Sequence, residues 1–127
     1  MTENEIATKL IDICFNLHNE FGPGLFESVY EELICYELME EEISFVKQKP
    51  IKLRYKNIEL DVAFRADIII ENKVILEIKS IETIVPVHKK QVITYLKLAD
   101  MKLGLLINFN VNLLKEGIFR IVNNIDE

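Results

Sequence analysis

Only two cysteines occur in 127 residues, Cys14 and Cys35, and both fall in helix-type apolar patterns without the spacing of a metal site. A disulfide scaffold is therefore excluded, and two reduced, core or half-buried thiols are expected. Glycine and proline are scarce, at 4 and 3 residues, which excludes a collagen-like or linker-rich chain. With 50% hydrophobic and 9% aromatic residues, disorder is excluded as well. No apolar run approaches the ~18 residues that span a bilayer, so no membrane partner is expected. The opening Met1-Thr2-Glu3-Asn4-Glu5 is acidic and lacks an apolar stretch, so no secretory signal is read and a cytoplasmic location is expected. What is there suffices for one hydrophobic core and not for two, giving a single domain over residues 1–127.

The net charge is −6, which argues against nucleic-acid binding through bulk charge alone. The charge is uneven. Between Ile43 and Ile58 stand Lys47, Lys49, Lys52, Arg54 and Lys56 with no carboxylate. A locally basic strand on an acidic body suits a small phosphate-binding surface; it equally suits an edge strand protected by lysines.

Residues 3–20 place Ile6, Leu10, Ile13, Cys14 and Leu17 at helical spacing. Gly22-Pro23-Gly24 stops that helix. A second helix is expected from Leu25 to Glu41, with Val29, Tyr30, Leu33, Ile34 and Leu38 as its apolar face. Glu40-Glu41-Glu42 opposes the dipole at its end, so that end is expected to be solvated and to fray. From Phe45 the period changes to two. Phe45–Tyr55 reads as a strand broken by Pro50, hence an edge strand or a bulge. Lys56-Asn57 reads as a hairpin turn, Ile58–Ile70 as a long strand and Val74–Ser80 as another. Pro86 opens a third helix running to Ala99. The nearly continuous apolar run Lys102–Phe109 marks a strand buried on both faces. Leu113–Gly117 reads as a short turn or helical turn and Ile118–Val122 as a last strand. The order is α-α-β-β-β-α-β-β, an α/β domain with a central mixed sheet and helices on its faces.

The stretch from Arg65 to Lys79 carries the chemistry. Along a strand Glu77 and Lys79 share one face, and Leu76 and Ile78 the other. If Glu71-Asn72-Lys73 is a three-residue hairpin loop, Ile70 pairs with Val74. Asp67 then faces Glu77, and Arg65 faces Lys79. Opposed residues have Cβ atoms ~4.5–5.5 Å apart, close enough for two carboxylates to share one cation. A two- or four-residue loop would put the acids on opposite faces. Two carboxylates with a backbone carbonyl and waters suit Mg²⁺ or Mn²⁺. Lys79 beside them would activate a metal-bound water or offset charge on a phosphodiester under attack. The alternative is that Glu77 and Lys79 are ordinary solvent-face residues and that Asp67 pairs with Arg65 or Lys79. Gln91 and Tyr95, with His88 one turn earlier, form a polar stripe on the third helix that can position a phosphate or a water. An amphipathic helix with a half-buried Tyr95 would look the same. Glu27, near the start of the second helix, is either a dipole-stabilising acid or a third acid facing the metal.

Gly24-Leu-Phe-Glu27-Ser-Val-Tyr30 resembles the signature of the GxxExxY proteins. The resemblance continues through Arg65-Ala-Asp67, Glu77-Ile-Lys79, Gln91 to Tyr95, and Leu103-Gly-Leu-Leu-Ile-Asn-Phe109. That family is placed in the PD-(D/E)XK nuclease-like superfamily. The resemblance implies a restriction-endonuclease-like αβββαβ core, here with an extra N-terminal helix. Asp67 then matches the motif aspartate, although Ala66 stands where the motif carries proline. Glu77-Ile78-Lys79 matches the (D/E)XK segment, and Gln91 with Tyr95 the QxxxY element of RecB-like nucleases. The implied function is a Mg²⁺- or Mn²⁺-dependent nuclease acting on nucleic acid, taken first as DNA. Asp67, Glu77 and the Ile78 carbonyl would ligate the metal, Lys79 would orient water, and Glu27 would hold a second ion or a bound water. Gln91 and Tyr95 would position the phosphate, with Lys52, Arg54, Lys56 and His88 as nucleic-acid contacts. The rival is a non-catalytic module of the same fold that binds nucleic acid or a protein partner, in a homodimer or a larger assembly. A third reading makes these polar residues an internal salt-bridge network without a ligand.

Overall fold

The computed structural model describes residues 1–124, so the last three residues of the expected 1–127 domain lie outside the described residues. The elements run α1 (Glu3–Phe21), α2 (Glu27–Glu40), β1 (Phe45–Tyr55), β2 (Ile58–Ile70), β3 (Val74–Lys79), α3 (Pro86–Ala99), β4 (Leu103–Asn108), a 3-10 turn (Leu114–Gly117) and β5 (Ile118–Val122). The strands form one five-stranded sheet in the order β1-β2-β3-β4-β5. β3 and β4 are parallel, as the α3 crossover between them requires, and the other neighbours are antiparallel. The sheet is therefore mixed, and the element order is the expected one.

The helices cover the two faces separately. Ile6, Leu10, Ile13, Cys14 and Leu17 of α1 and Tyr30, Ile34 and Leu38 of α2 pack with Ile68, Ile70, Leu76, Ile78, Leu105 and Ile107 of the sheet. On the other face Val92 and Leu96 of α3 pack with Ile69, Ile75, Leu106 and Ile121. Every residue of β4 is buried, as its uninterrupted apolar run implies. A Cβ on Gly104 would lie 2.7 Å from Val92 Cγ1, so the missing side chain is what lets α3 sit down on β4. Both cysteines are free and buried. Burial pushes the Cys35 thiol up to about 11 and raises that of Cys14 further.

Three local expectations are corrected. α2 starts at Glu27, two residues after the expected Leu25, and Val29 is 38% exposed. Tyr30, Ile34 and Leu38 set the buried stripe, and Val29 lies about 100° away from Tyr30 around the axis. The end of α2 is closed and not frayed. Glu42 takes a left-handed φ of 58°, and Ile43 N–H donates to the Leu38 carbonyl at 3.0 Å, while Lys9 of α1 pairs with Glu41 at 2.9 Å. Pro50 sits in β1, an edge strand as expected, but the register shift falls just after it, between Ile51 and Leu53.

Candidate active site

The site forms where β2 leaves β3. Their ladder runs Ile70↔Val74, Ile69↔Ile75 and Ile68↔Leu76, the register that the three-residue loop Glu71-Asn72-Lys73 dictates. Glu71 and Asn72 both take left-handed conformations to close that loop. Beyond Ile68 the strands part, and two side chains replace the missing ladder bonds. Asp67 N–H donates to Glu77 Oε1 at 3.2 Å, and Ile78 N–H donates to Asp67 Oδ2 at 2.8 Å. Because the strands have parted, neither expected ladder pair, Asp67–Glu77 or Arg65–Lys79, forms; Asp67 and Glu77 meet through these side-chain bonds, and Arg65 keeps only its pairing with Pro50 of β1.

β2 also changes faces here. Ala66 packs with the α3 cluster and Ile68 with the α1/α2 cluster, although residues two apart on a regular strand share a face. β1 makes the same change between Phe45 and Ile51. Gln48 lies between them with a φ of 53°, and its amide reaches Asp67 Oδ1 at 3.4 Å and Glu31 Oε1 at 2.8 Å.

Glu77 is buried, only 7% exposed, and among the described residues no cation lies within ion-pair distance of it or of Asp67. The pairing of Asp67 with Arg65 or Lys79 is therefore not observed. Burial first, then the charge of Asp67, pushes the Glu77 carboxyl up to about 8. The Asp67 amide and the Lys79 ammonium pull in the opposite direction without cancelling it.

Glu27 is exposed on the first turn of α2 and ties it to the end of β3, where Ser80 N–H donates to Glu27 Oε2 at 3.1 Å. The start of α2 is itself held by Tyr30. Its hydroxyl donates to the Gly22 carbonyl and accepts from Leu25 N–H, and its ring stacks on Phe109 with centroids 3.9 Å apart. A cavity of about 170 Å³ lies between these pieces, lined by Glu27, Ser28, Glu31, Gln48, Asp67 and Ile78. Glu27 thus faces the same space as Asp67, while Glu77 meets Asp67 from the sheet side. Among the described residues no three His, Cys, Asp or Glu side chains gather as a metal-binding cluster. The assembled unit is a carboxylate pair with two further acids, Glu27 and Glu31, lining the cavity beside Asp67.

On α3, Tyr95 stacks on Phe64 of β2 with centroids 3.7 Å apart. Burial, then the charges of Glu77 and Asp67, raises its phenol. Gln91 is exposed one turn before it. The expected stripe divides at His88, whose Nδ1 accepts from Val85 N–H at 3.0 Å and so closes the start of α3. In the basic strand, Lys52 and Arg54 both pair with Glu59, at 3.6 and 2.8 Å, and Lys56 lies over the Tyr55 ring at 5.2 Å.

Glu31, Gln48 and Asn108 belong to the site without a clear mark in the sequence, where Glu31 is one of many helix acids. Gln48 was legible only as a neutral residue among lysines. Asn108, buried at the end of β4, accepts from Ile81 N–H at 3.1 Å and donates to the Ile81 carbonyl at 2.9 Å, fixing the chain just past Lys79. Its one signal was a polar side chain ending an apolar run.

No curated protein and no solved structure matches the chain. The model of the PD-(D/E)XK nuclease superfamily matches residues 4–121, from α1 into β5, and so includes every element of the site. The chain belongs to the PD-(D/E)XK nuclease superfamily.

Proposed function

We propose that the protein is a divalent-metal-dependent phosphodiesterase acting on nucleic acid, with Mg²⁺ or Mn²⁺ as its ion. The observation that carries this reading is the Asp67–Glu77 pair. Two carboxylates are held together, one of them buried, with no cation beside them among the described residues. A fold tolerates such repulsion where a proton or a metal relieves it. The donor set fits a hard cation, since Mg²⁺ keeps several waters and needs only one or two carboxylates from the protein. Asp67, Glu77 and the Ile78 carbonyl would hold it, and Glu27 would take a second ion or a bound water across the cavity. When bound, the metal supplies Lewis-acid activation of water and of the phosphoryl oxygens.

The chain's own residues do the rest. The Lys79 ammonium, on the same strand face as Glu77, orients the attacking water and offsets charge growing on the phosphate. Tyr95, fixed by its stack on Phe64, and Gln91 beside it position that phosphate. Lys52, Arg54, Lys56 and the second ring nitrogen of His88 contact the backbone. With a net charge of −6, affinity depends on these few cations and falls steeply with salt.

The test is cleavage of single- and double-stranded DNA in Mn²⁺ or Mg²⁺ by wild type and Glu77→Gln, which keeps the acceptor for the Asp67 amide. Wild type is expected to cleave and the variant not to; equal activity in both removes the assigned role. A second reading, a binding module without turnover, draws on the absence of a three-acid cluster among the described residues. Calorimetric Mn²⁺ binding at millimolar levels only, together with no cleavage, would favour it.

A further inference from the structure

We propose that Phe26 is a stacking platform for an unpaired base, which makes single-stranded nucleic acid the substrate class; this rests on the nuclease reading above. Phe26 is 81% exposed, more than any other large hydrophobic residue described. It occupies the N-cap of α2, where a short polar side chain would bond the first-turn amides, and its own side chain makes no cap hydrogen bond. Both choices work against stability at the same residue, the kind of local conflict that concentrates at functional positions.

The position of the ring gives the conflict a use. Phe26 lines an open cavity of about 410 Å³ with Leu25, Glu27, Ser28 and Ser80. Glu27 and Ser28 also line the cavity that holds Asp67 and Ile78, so the two spaces adjoin at the start of α2. A strand whose phosphate lies at Asp67 and that runs on over the first turn of α2 meets Phe26 next. The segment carrying the ring is fixed in advance, because the Tyr30 hydroxyl bonds Gly22 and Leu25 and Glu27 bonds Ser80. An exposed phenyl face can stack only on a base whose own face is free, and in a duplex those faces are occupied.

The experiment compares wild type, Phe26→Leu and Phe26→Trp in Mn²⁺ on one oligodeoxynucleotide, supplied single-stranded and as a duplex. Thermal melts verify that the variants fold. Removing the ring should lower kcat/KM on the single strand by about 5- to 100-fold, the range of one lost base–aromatic stack, and leave any duplex cleavage within about twofold. Phe26→Trp should retain the wild-type preference. A Phe26→Leu variant that cleaves the single strand like wild type overturns the assignment, as does a wild type that cleaves only the duplex. Quenching of a 2-aminopurine single strand by the Glu77→Gln protein, with and without Phe26→Leu, reads stacking without turnover. Ring-dependent quenching supports Phe26 even if wild type cleaves nothing, in which case the nuclease reading alone falls. Quenching that survives loss of the ring overturns the platform while leaving the hydrolase standing.

Discussion

Asp67 and Glu77 each give a carboxylate oxygen to an amide of the opposite strand, so neither acid is a free ligand and neither can be removed without orphaning an N–H. The informative change is Glu77→Gln, which keeps the acceptor for the Asp67 amide and removes the charge. In the folded protein Glu77 holds its proton up to about pH 8, against an ordinary value of 4.5. The native state therefore binds more protons than the unfolded chain between those values. Its stabilising effect is complete below about pH 4.5 and is lost as pH rises through 8. We expect the metal-free protein to melt at a lower temperature at pH 8 than at pH 6. Glu77→Gln should lack that slope and out-melt wild type at pH 8. Mg²⁺, competing with the proton, should stabilise wild type more at pH 8 than at pH 6. Calorimetric melts with and without Mg²⁺ check all three, and a pH-independent wild-type melt would remove the repulsion argument. Tyr30→Phe leaves the Gly22 carbonyl and Leu25 N–H without their partner. A loss of about 1–3 kcal/mol in urea unfolding is expected. Cleavage should fall as well, because Glu27 depends on the same loop.

At the scale of elements, the helices and strands were legible because hydrophobic period separates them clearly, and the hairpin loop fixed the β2–β3 register without any tertiary information. The face change at Gln48 and Asp67 was not legible. A non-glycine residue with positive φ leaves no mark in composition, and its reason lies in the neighbouring strand. The exposure of Phe26 is hidden for a related reason: it depends on where α2 starts, and a shift of two residues moves every side chain of the first turn. The start of α3 at Pro86 is legible, but the bond that turns His88 back onto the Val85 amide is not, because a cap and a stripe residue share the same spacing. Packing between elements yields a direct test. Gly104→Ala puts a methyl 2.7 Å from Val92 Cγ1, on a β-branched side chain with little rotamer freedom. Overpacking should cost about 1–3 kcal/mol in urea unfolding. It should also lower cleavage, since α3 carries Gln91 and Tyr95. Glu59 occupies both Lys52 and Arg54 on the β1–β2 hairpin. Glu59→Gln should leave the melting temperature nearly unchanged and steepen the salt dependence of nucleic-acid binding by up to two phosphate contacts. Anisotropy titrations across a salt series measure this.

For the molecule as a whole, the two faces of the sheet divide the labour: α1 and α2 close one side and bring Glu27, while α3 closes the other and brings Tyr95. The acids sit at the seam between these layers, where β2 departs, so the site depends on both cores. The same holds at the far edge of the sheet. A Cβ on Gly117 would come within 2.1 Å of the Asn108 carbonyl oxygen, and Asn108 grips Ile81 by both its amide and its carbonyl. The hairpin return into β5 thus acts as a buttress behind the strand end that presents Lys79. Any bulk added at Gly117 would be transmitted through one asparagine to the lysine's backbone, so damage remote from the carboxylates would register as a misaimed ammonium.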